Sequence, residues 1–468
     1  MKRFGRQIVP IAMLILALGL NAQMTARAQW SQYQGDAAHT GFVAETIPDE
    51  SLAKGWEKIF PYSQTEPDFI SSLAVSDQGV FTVVQDGREA GDGGYYGIFD
   101  LTSFNRVTGQ EEWQTPIYSF AGSVSAPSVS GNIVYVHDFG DSDISGGTPR
   151  QYPRLVGVNA STGQIQFATT HEGQGDSGSR PTVLGNQVVA LGGYFGGMDS
   201  YDASTGTHQW FTAFPQQYGF IPAMDQQHVY VYYGSIGGSP LFGTLYVLDR
   251  SSGEIDYTIQ IPSDRYSTGT ISSVALGGQD DALIINSTSY NVDEGSDGRN
   301  QLTSFDLQHH TIKWSQTLGA FSGLTALAVA NGEIAVSLLH SLQMMDEATG
   351  SDLWTWTAPS NATLYSNIVL TNNLAFVASQ DTVFGIDRAS GQLEWSAFLG
   401  RDNNYFSYYN LSYFDGTLYV SGADHLFTFN TVPEPSGVLL WSTVIVALFG
   451  YSVLRRRQGV FHVPTGAI

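Results

Sequence analysis

Asp202-Ala203-Ser204-Thr205-Gly206-Thr207-His208-Gln209-Trp210 is the stretch that decides the fold. An aspartate opens a tight turn by accepting backbone amides, a glycine takes up the left-handed conformation, and an aromatic residue begins the returning strand. The same spacing recurs as Asn105, Gly109 and Trp113, as Asn159, Gly163 and Phe167, and as Asp249, Gly253 and Tyr257. It returns as Asp346, Gly350 and Trp354 and as Asp387, Gly391 and Trp395, while a degenerate copy, Asp306 to Trp314, carries His310 where the glycine belongs. Self-similarity at separations of 40 to 57 residues marks a repeat architecture.

Each copy joins two strands, and ahead of the copies lie further hairpins such as Ala126 to Val136 and Leu411 to Val420. Four strands per repeat make a propeller blade. Asn430 has no aromatic partner after it, and Trp56 has no aspartate before it. Placed together they complete one blade. The reading is therefore an all-β, eight-bladed propeller of four-stranded antiparallel blades, its ring closed by an N-terminal strand near Trp56 that removes the free sheet edges. Trp56, Trp113, Trp210, Trp314, Trp354 and Trp395 are read as structural residues between blades, because near-equivalent copies cannot all be one active site.

The two ends have a different character. Lys2, Arg3 and Arg6 precede an apolar run from Ile8 to Leu20, and Ala26-Arg27-Ala28 offers a small-residue cleavage site, so residues 1–28 read as a secretory signal peptide. Pro433-Glu434-Pro435 is followed by an apolar stretch from Val438 to Leu454, long enough for a transmembrane helix, and by Arg455, Arg456 and Arg457. This order resembles the bacterial PEP-CTERM sorting signal, which implies processing by an exosortase-type enzyme and contact with the membrane before processing. The expected organisation is a signal peptide over 1–28, a propeller over 29–431, a sorting and anchor segment over 432–457, and a short tail over 458–468.

Composition narrows the function. The chain has a formal net charge of −23, and seven of its 20 basic residues but one of its 43 acidic residues lie in the two ends, so the domain between them is more acidic still. Such a surface disfavours nucleic acid and anionic membranes. No cysteine is present, which removes disulfides, thiolate nucleophiles and thiolate metal ligands.

The Asp-x-x-Ser/Thr-Gly-x-x-x-Trp unit resembles the tryptophan-docking repeat of the quinoprotein-like propellers, the family of the pyrroloquinoline-quinone (PQQ) dehydrogenases and of the envelope assembly lipoprotein BamB. The opening Trp30-Ser31-Gln32-Tyr33-Gln34-Gly35-Asp36 to Gly41 also resembles that family's lead-in segment. For the dehydrogenases the resemblance implies PQQ with calcium on the propeller axis beneath an adjacent-cysteine disulfide. A chain without cysteine cannot make that disulfide, so PQQ is not expected here. A lipidated cysteine of the BamB kind is equally excluded.

Four longer inserts fall between second and third strands: Gln85 to Gly97, His137 to Pro153, Ser235 to Gly243, and Asn291 to Asn300. Propeller geometry puts them on one face, where loops on a rigid scaffold carry binding. Asp141, Asp143 and Ser145 have the spacing of the front half of a calcium loop, but Tyr152 stands where the bidentate glutamate would be. Calcium is therefore a weak candidate beside a solvated acidic turn. Tyr95, Tyr96, Tyr152 and Tyr290 would suit a glycan partner. No catalytic constellation is found. The expectation is a non-enzymatic, exported scaffold at the envelope or surface of a Gram-negative-type bacterium, binding a protein or glycan; the alternatives are a PQQ-dependent enzyme and a BamB-like assembly factor.

Overall fold

A computed structural model describes residues 30–48, 52–60, 71–89, 96–120, 125–138, 153–171, 180–193, 196–214, 220–233, 242–262, 272–288, 299–320, 326–400, 409–422 and 425–432. The signal peptide, Pro433 to Pro435, the anchor segment and Arg455 to Arg457 lie outside them. Among the described residues no helix is long and apolar enough to cross a membrane.

The described chain forms eight four-stranded antiparallel sheets. Blade 1 is built from Ala74–Ser76, Gly79–Glu89, Tyr96–Phe104 and Glu111–Phe120, and blade 2 from Ser128–Ser130, Ile133–Asp138, Arg154–Asn159 and Ile165–Thr170. Blade 3 comprises Thr182–Leu184, Gln187–Leu191, Gly197–Asp202 and His208–Ala213; blade 4 comprises Ala223–Met224, His228–Tyr233, Phe242–Asp249 and Ile255–Pro262. In blade 5 the strands are Ala275–Leu276, Asp281–Thr288, Arg299–Asp306 and Thr311–Ala320, and in blade 6 Ala326–Ala330, Glu333–Leu338, Ser341–Asp346 and Asp352–Thr357. Blade 7 contains Val369–Leu370, Leu374–Ala378, Thr382–Asp387 and Leu393–Phe398. Blade 8 takes Asn410–Phe414, Thr417–Ser421 and His425–Thr431 from the C-terminal part and Leu52–Ile59 from the N-terminal part. Ala53 pairs with Asn430, so the closure expected at Trp56 is the one observed.

First strands of neighbouring blades touch at seven of the eight junctions, blade 8 against blade 1 included, and so line the axis. Blades 4 and 5 are further joined by a parallel pair, Phe220–Ile221 with Ser272–Ser273. Inner strands are buried on both faces, whereas fourth strands such as Asp352–Thr357 alternate between exposed and half-buried. The core lies between blades. Phe81, Val83, Phe99 and Leu101 of blade 1, for instance, pack on Val129, Val134, Val136 and Val156 of blade 2. Each such side chain contributes about 1.5–3 kcal/mol on burial.

The repeat turn works as its composition demands. Asp202 Oδ1 accepts the amides of Ser204 and Thr205 at 3.0 and 2.9 Å, and Asn159 Oδ1 accepts those of Ser161 and Thr162, both at 3.0 Å. Gly206 and Gly109 take φ of 69° and 68°. They are also contact points. A Cβ on Gly206 would come within 2.2 Å of the Phe167 ring of blade 2, and one on Gly109 within 2.6 Å of Trp56. Each indole then donates to a backbone carbonyl of the next blade: Trp56 to Arg106, Trp113 to Ala160, Trp210 to Arg250, Trp314 to Glu347, Trp354 to Arg388 and Trp395 to Leu52, at 2.8 to 3.2 Å. The aromatic that starts a fourth strand is thus an inter-blade fastener. The degenerate turn solves the same problem differently, since His310 stands at φ 55° and stacks on Tyr257 of blade 4 with ring centroids 3.6 Å apart.

The residue after the turn aspartate supplies a second fastener. Arg388 of blade 7 is buried and donates to Glu333 Oε2 at 2.7 Å and to the carbonyls of Ala330 and Thr371. Arg250 reaches back from blade 4 to Gln187 of blade 3, and Arg106 from blade 1 to Asp415 of blade 8. Glu347 of blade 6 is the exception in charge. Its buried carboxyl lies against the buried carboxylate of Asp281 in blade 5, and burial followed by that neighbour's hydrogen bond and charge pushes its pKa up to about 7.

Candidate functional site

Strands alternate in direction, so the first hairpin and the repeat turn of each blade share one side of the ring, and the inserts share the other. The axis is not symmetrical between these sides. Residues 30–48 cross it, and their acceptors take the backbone amide next to the first hairpin in seven blades. The amides are those of Val75, Val129, Met224, Leu276, Val329 and Leu370, bonded at 2.7 to 2.8 Å to the carbonyls of Trp30, Ser31, Ala37, Ala38, Thr40 and Gly41. In blade 3 the Gln32 side chain takes the place of backbone, accepting from Val183 and donating to its carbonyl. Blade 8 is reached through Glu45, which accepts from the Gly416 amide at 3.3 Å. The segment is irregular because its partners are the ring rather than itself. It closes the axis on the turn side.

Above this floor stands one aromatic cluster. The Tyr33 ring meets His39 edge-on at 5.1 Å, and its hydroxyl donates across the axis to Ser273 of blade 5 at 3.4 Å. His39 is buried, with Nδ1 2.9 Å from the Val274 carbonyl. Burial lowers its pKa to about 4, helped by the charge of Arg180 and opposed by the Val274 bond, so the ring is neutral and Nδ1 carries the proton as donor. The Arg180 guanidinium lies over the Tyr33 ring, 4.3 Å from its centroid. Among the described residues it has no hydrogen-bond or ion-pair partner, in a chain whose net charge is −23. Arg180 lies two residues before the first strand of blade 3, on the insert side of the floor.

A second concavity lies at the periphery, between blades 2 and 3, with a volume of about 290 Å³. His171 and Thr170 border it from blade 2; Asp199, Tyr201, His208 and Phe211 do so from the third and fourth strands of blade 3. His208 Nε2 is 2.9 Å from Asp199 Oδ1, and the Tyr201 and His208 rings meet edge-on at 5.6 Å. Burial raises the Tyr201 hydroxyl above its ordinary range, and Asp199 adds to the shift, so it stays protonated. His171 is lowered to about 4 by burial and packs on His137, which burial and then His171 hold well below the usual value.

The candidate calcium residues Asp141, Asp143 and Ser145 lie outside the described residues, as do Tyr95, Tyr152 and Tyr290. The flanking strands confirm that all four inserts connect second to third strands. The first is shorter than its sequence suggests, because the second strand of blade 1 continues past an irregularity at Gln85 to Glu89, opposite Gly97. Among the described residues no three His, Asp or Glu side chains converge to hold a metal ion. Residues 30–48 occupy the turn side of the axis, with the Tyr33 and His39 rings above them. Sequence reasoning missed Arg180 and the peripheral cleft; each depends on residues brought together from different blades.

A family model described as outer membrane protein assembly factor BamB matches residues 153–294 and 286–430, together more than half of the chain. The chain belongs to the BamB family. No curated protein sequence matches it. Among solved structures, BamB from Moraxella catarrhalis is 15% identical, with a TM-score of 0.52 over 82% of this chain and 98% of that one. A europium-containing methanol dehydrogenase is 10% identical, with a TM-score of 0.59 over 86% of this chain and 98% of its own. The computationally designed Ika8 protein is 14% identical, with a TM-score of 0.53 over 80% of this chain and 100% of its own. An assembly factor, a dehydrogenase and a designed protein share this architecture, so the fold alone does not choose among their functions.

Proposed function

We propose that this protein is an exported, envelope-associated, non-enzymatic scaffold whose insert-bearing mouth captures a partner carrying a carboxylate, a protein segment in the first instance. The observation that carries this reading is Arg180, a guanidinium 4.3 Å over the Tyr33 ring with no counter-ion among the described residues. An arginine that rests over an aromatic ring in this way has N–H donors to spare for a carboxylate. Residues 30–48 close the opposite side, so a partner reaches Arg180 from the insert side.

Export would follow from residues 1–28. Sorting would follow from Pro433 to Arg457, with processing by an exosortase-type enzyme. A BamB-type assembly role is the second reading, favoured by the family match; lacking cysteine, the chain would perform it without a lipidated cysteine.

The test is titration of the purified full chain with an array of peptides ending in or bearing carboxylates, with calcium and with PQQ. Acidic peptides should bind, and Arg180→Ala should abolish binding without changing the fold. Saturable quinone binding with dye reduction would overturn the non-enzymatic reading. Peptide binding unchanged in R180A would move the partner site away from the axis.

A further inference from the structure

We infer that Glu347 of blade 6 and Asp281 of blade 5 share one proton, and that this proton holds the joint between the two blades: the joint is tight while the proton is present and loosens when it leaves. The pair lies on the turn side of the ring and stands apart from the carboxylate reading at Arg180.

Both residues are closed off from solvent, Glu347 at 0% and Asp281 at 1% exposure. Their carboxyl groups meet over Gly277, in the first hairpin of blade 5, where a Cβ would come within 2.1 Å of Asp281 Oδ1 and 2.3 Å of Glu347 Oε1. The missing side chain lets two carboxyl groups from different blades occupy one space. Their donors are unevenly shared. Ser304 Oγ donates to Asp281 Oδ2 at 2.8 Å and Lys313 Nζ reaches the same oxygen at 3.4 Å, while the Gln279 amide donates to Glu347 Oε1 at 3.0 Å. Asp281 Oδ1 and Glu347 Oε2 are left buried without a donor. Ionised carboxylates only accept, so neither can serve the other; one proton on Glu347, donated to Asp281, serves both.

Charge leads to the same result. Lys313 balances one carboxylate, and two ionised carboxylates would leave a buried negative charge uncompensated. Asp306, opposite Asp281 in the strand register, is bonded to His309, and Asp280 and Asp346, next in the chain to the pair, are themselves acidic. Burial, followed by the bond and charge of Asp281, raises the Glu347 pKa to about 7, in line with this geometry.

The place of Glu347 in the repeat gives the proton its consequence. It follows the turn aspartate of blade 6, the position from which Arg388, Arg250 and Arg106 reach back to their preceding blades. An arginine keeps its charge at any ordinary pH, whereas the Glu347 link needs its proton. The Glu347 carbonyl is also the acceptor of the Trp314 indole, at 3.0 Å. One residue thus carries both links of this joint, and repulsion from Asp281 after the proton leaves acts on the tryptophan fastener as well.

Hydrogen exchange of the full chain at about pH 5.5 and pH 7.5 tests this, with the turn at Arg388 between blades 6 and 7 as the internal reference for the intrinsic pH dependence of exchange. Relative to that reference, exchange of the blade 5 hairpin around Gln279 should rise about tenfold or more, because the closed joint binds the proton more tightly than the open one. Glu347→Gln, whose amide donates to Asp281 at either pH, should remove the rise, and so should Asp281→Asn. Infrared difference spectra of the parent against E347Q at about pH 5.5, where an exposed glutamate is mostly ionised, should show one protonated carboxyl group. An equal response of the two joints in the parent overturns the inference. So does a rise that persists in either variant, or the absence of the carboxyl band.

Discussion

The two sides of the ring are built on different principles. On the turn side six blades repeat one device, an aspartate or asparagine turn whose glycine receives the preceding blade's aromatic ring, and residues 30–48 bind seven of the blades through a backbone amide of the first strand. On the insert side four second-to-third-strand connections are enlarged and unlike one another in sequence, and the polar groups above the floor occur once each. Repetition marks where the molecule holds itself together. On the insert side Arg180, over Tyr33, is a singular feature with no repeat counterpart.

The sharpest way to break this contrast is to remove the floor. Deleting residues 30–48 should cost about 5 kcal/mol or more, the loss of seven buried amide bonds at roughly 0.5–1.5 kcal/mol each, and calorimetry should show a larger fall in melting temperature than any single substitution produces. Trp113→Ala and Trp354→Ala should each cost about 3 kcal/mol, measured by denaturant unfolding. The degenerate junction gives an internal control. His310→Gly restores the residue that φ 55° favours but loses the Tyr257 stack, two effects of about 1 kcal/mol with opposite sign, so it should leave stability nearly unchanged.

A subtler test uses pH. Glu347 has its pKa raised from 4.5 to about 7, chiefly by burial, so the folded state holds its proton more tightly than the unfolded chain does. Its contribution is present in full below about pH 4.5 and is lost as the pH rises to about 7. The buried histidines oppose it: His39 and His171, lowered from 6.5 to about 4, contribute stability that is present above 6.5 and lost as the pH falls towards 4. Melting curves of Glu347→Gln and the parent chain should diverge in the parent's disfavour between pH 4.5 and 7 and run parallel above that range. The smallest expected effect on stability is that of Arg180→Ala, within about 0.5 kcal/mol, because no described side chain relies on it for a hydrogen bond.

The architecture is legible in the sequence because it rests on local chemistry repeated many times. Asp202, Gly206 and Trp210 lie within nine residues of sequence, and the unmatched Asn430 and Trp56 announce the closure by themselves. The role of residues 30–48 is not legible. They carry no period, and their partners lie far along the chain, as with Gly41 and Leu370. Arg180 is one arginine beside a proline in the sequence, and only the fold places it over Tyr33. Phe211 reads as one more strand aromatic, and only the fold sets its ring against the glycines at 193 and 197.

Hydrogen exchange tests the central claim, that one segment closes the axis by holding seven blades, most directly. The amides of Val75, Val129, Val183, Met224, Leu276, Val329 and Leu370 are the reporters. The account predicts that all seven exchange as slowly as the inner strands and lose protection together when residues 30–48 are deleted. Rapid exchange of these amides in the intact chain, or protection that survives the deletion, would contradict it.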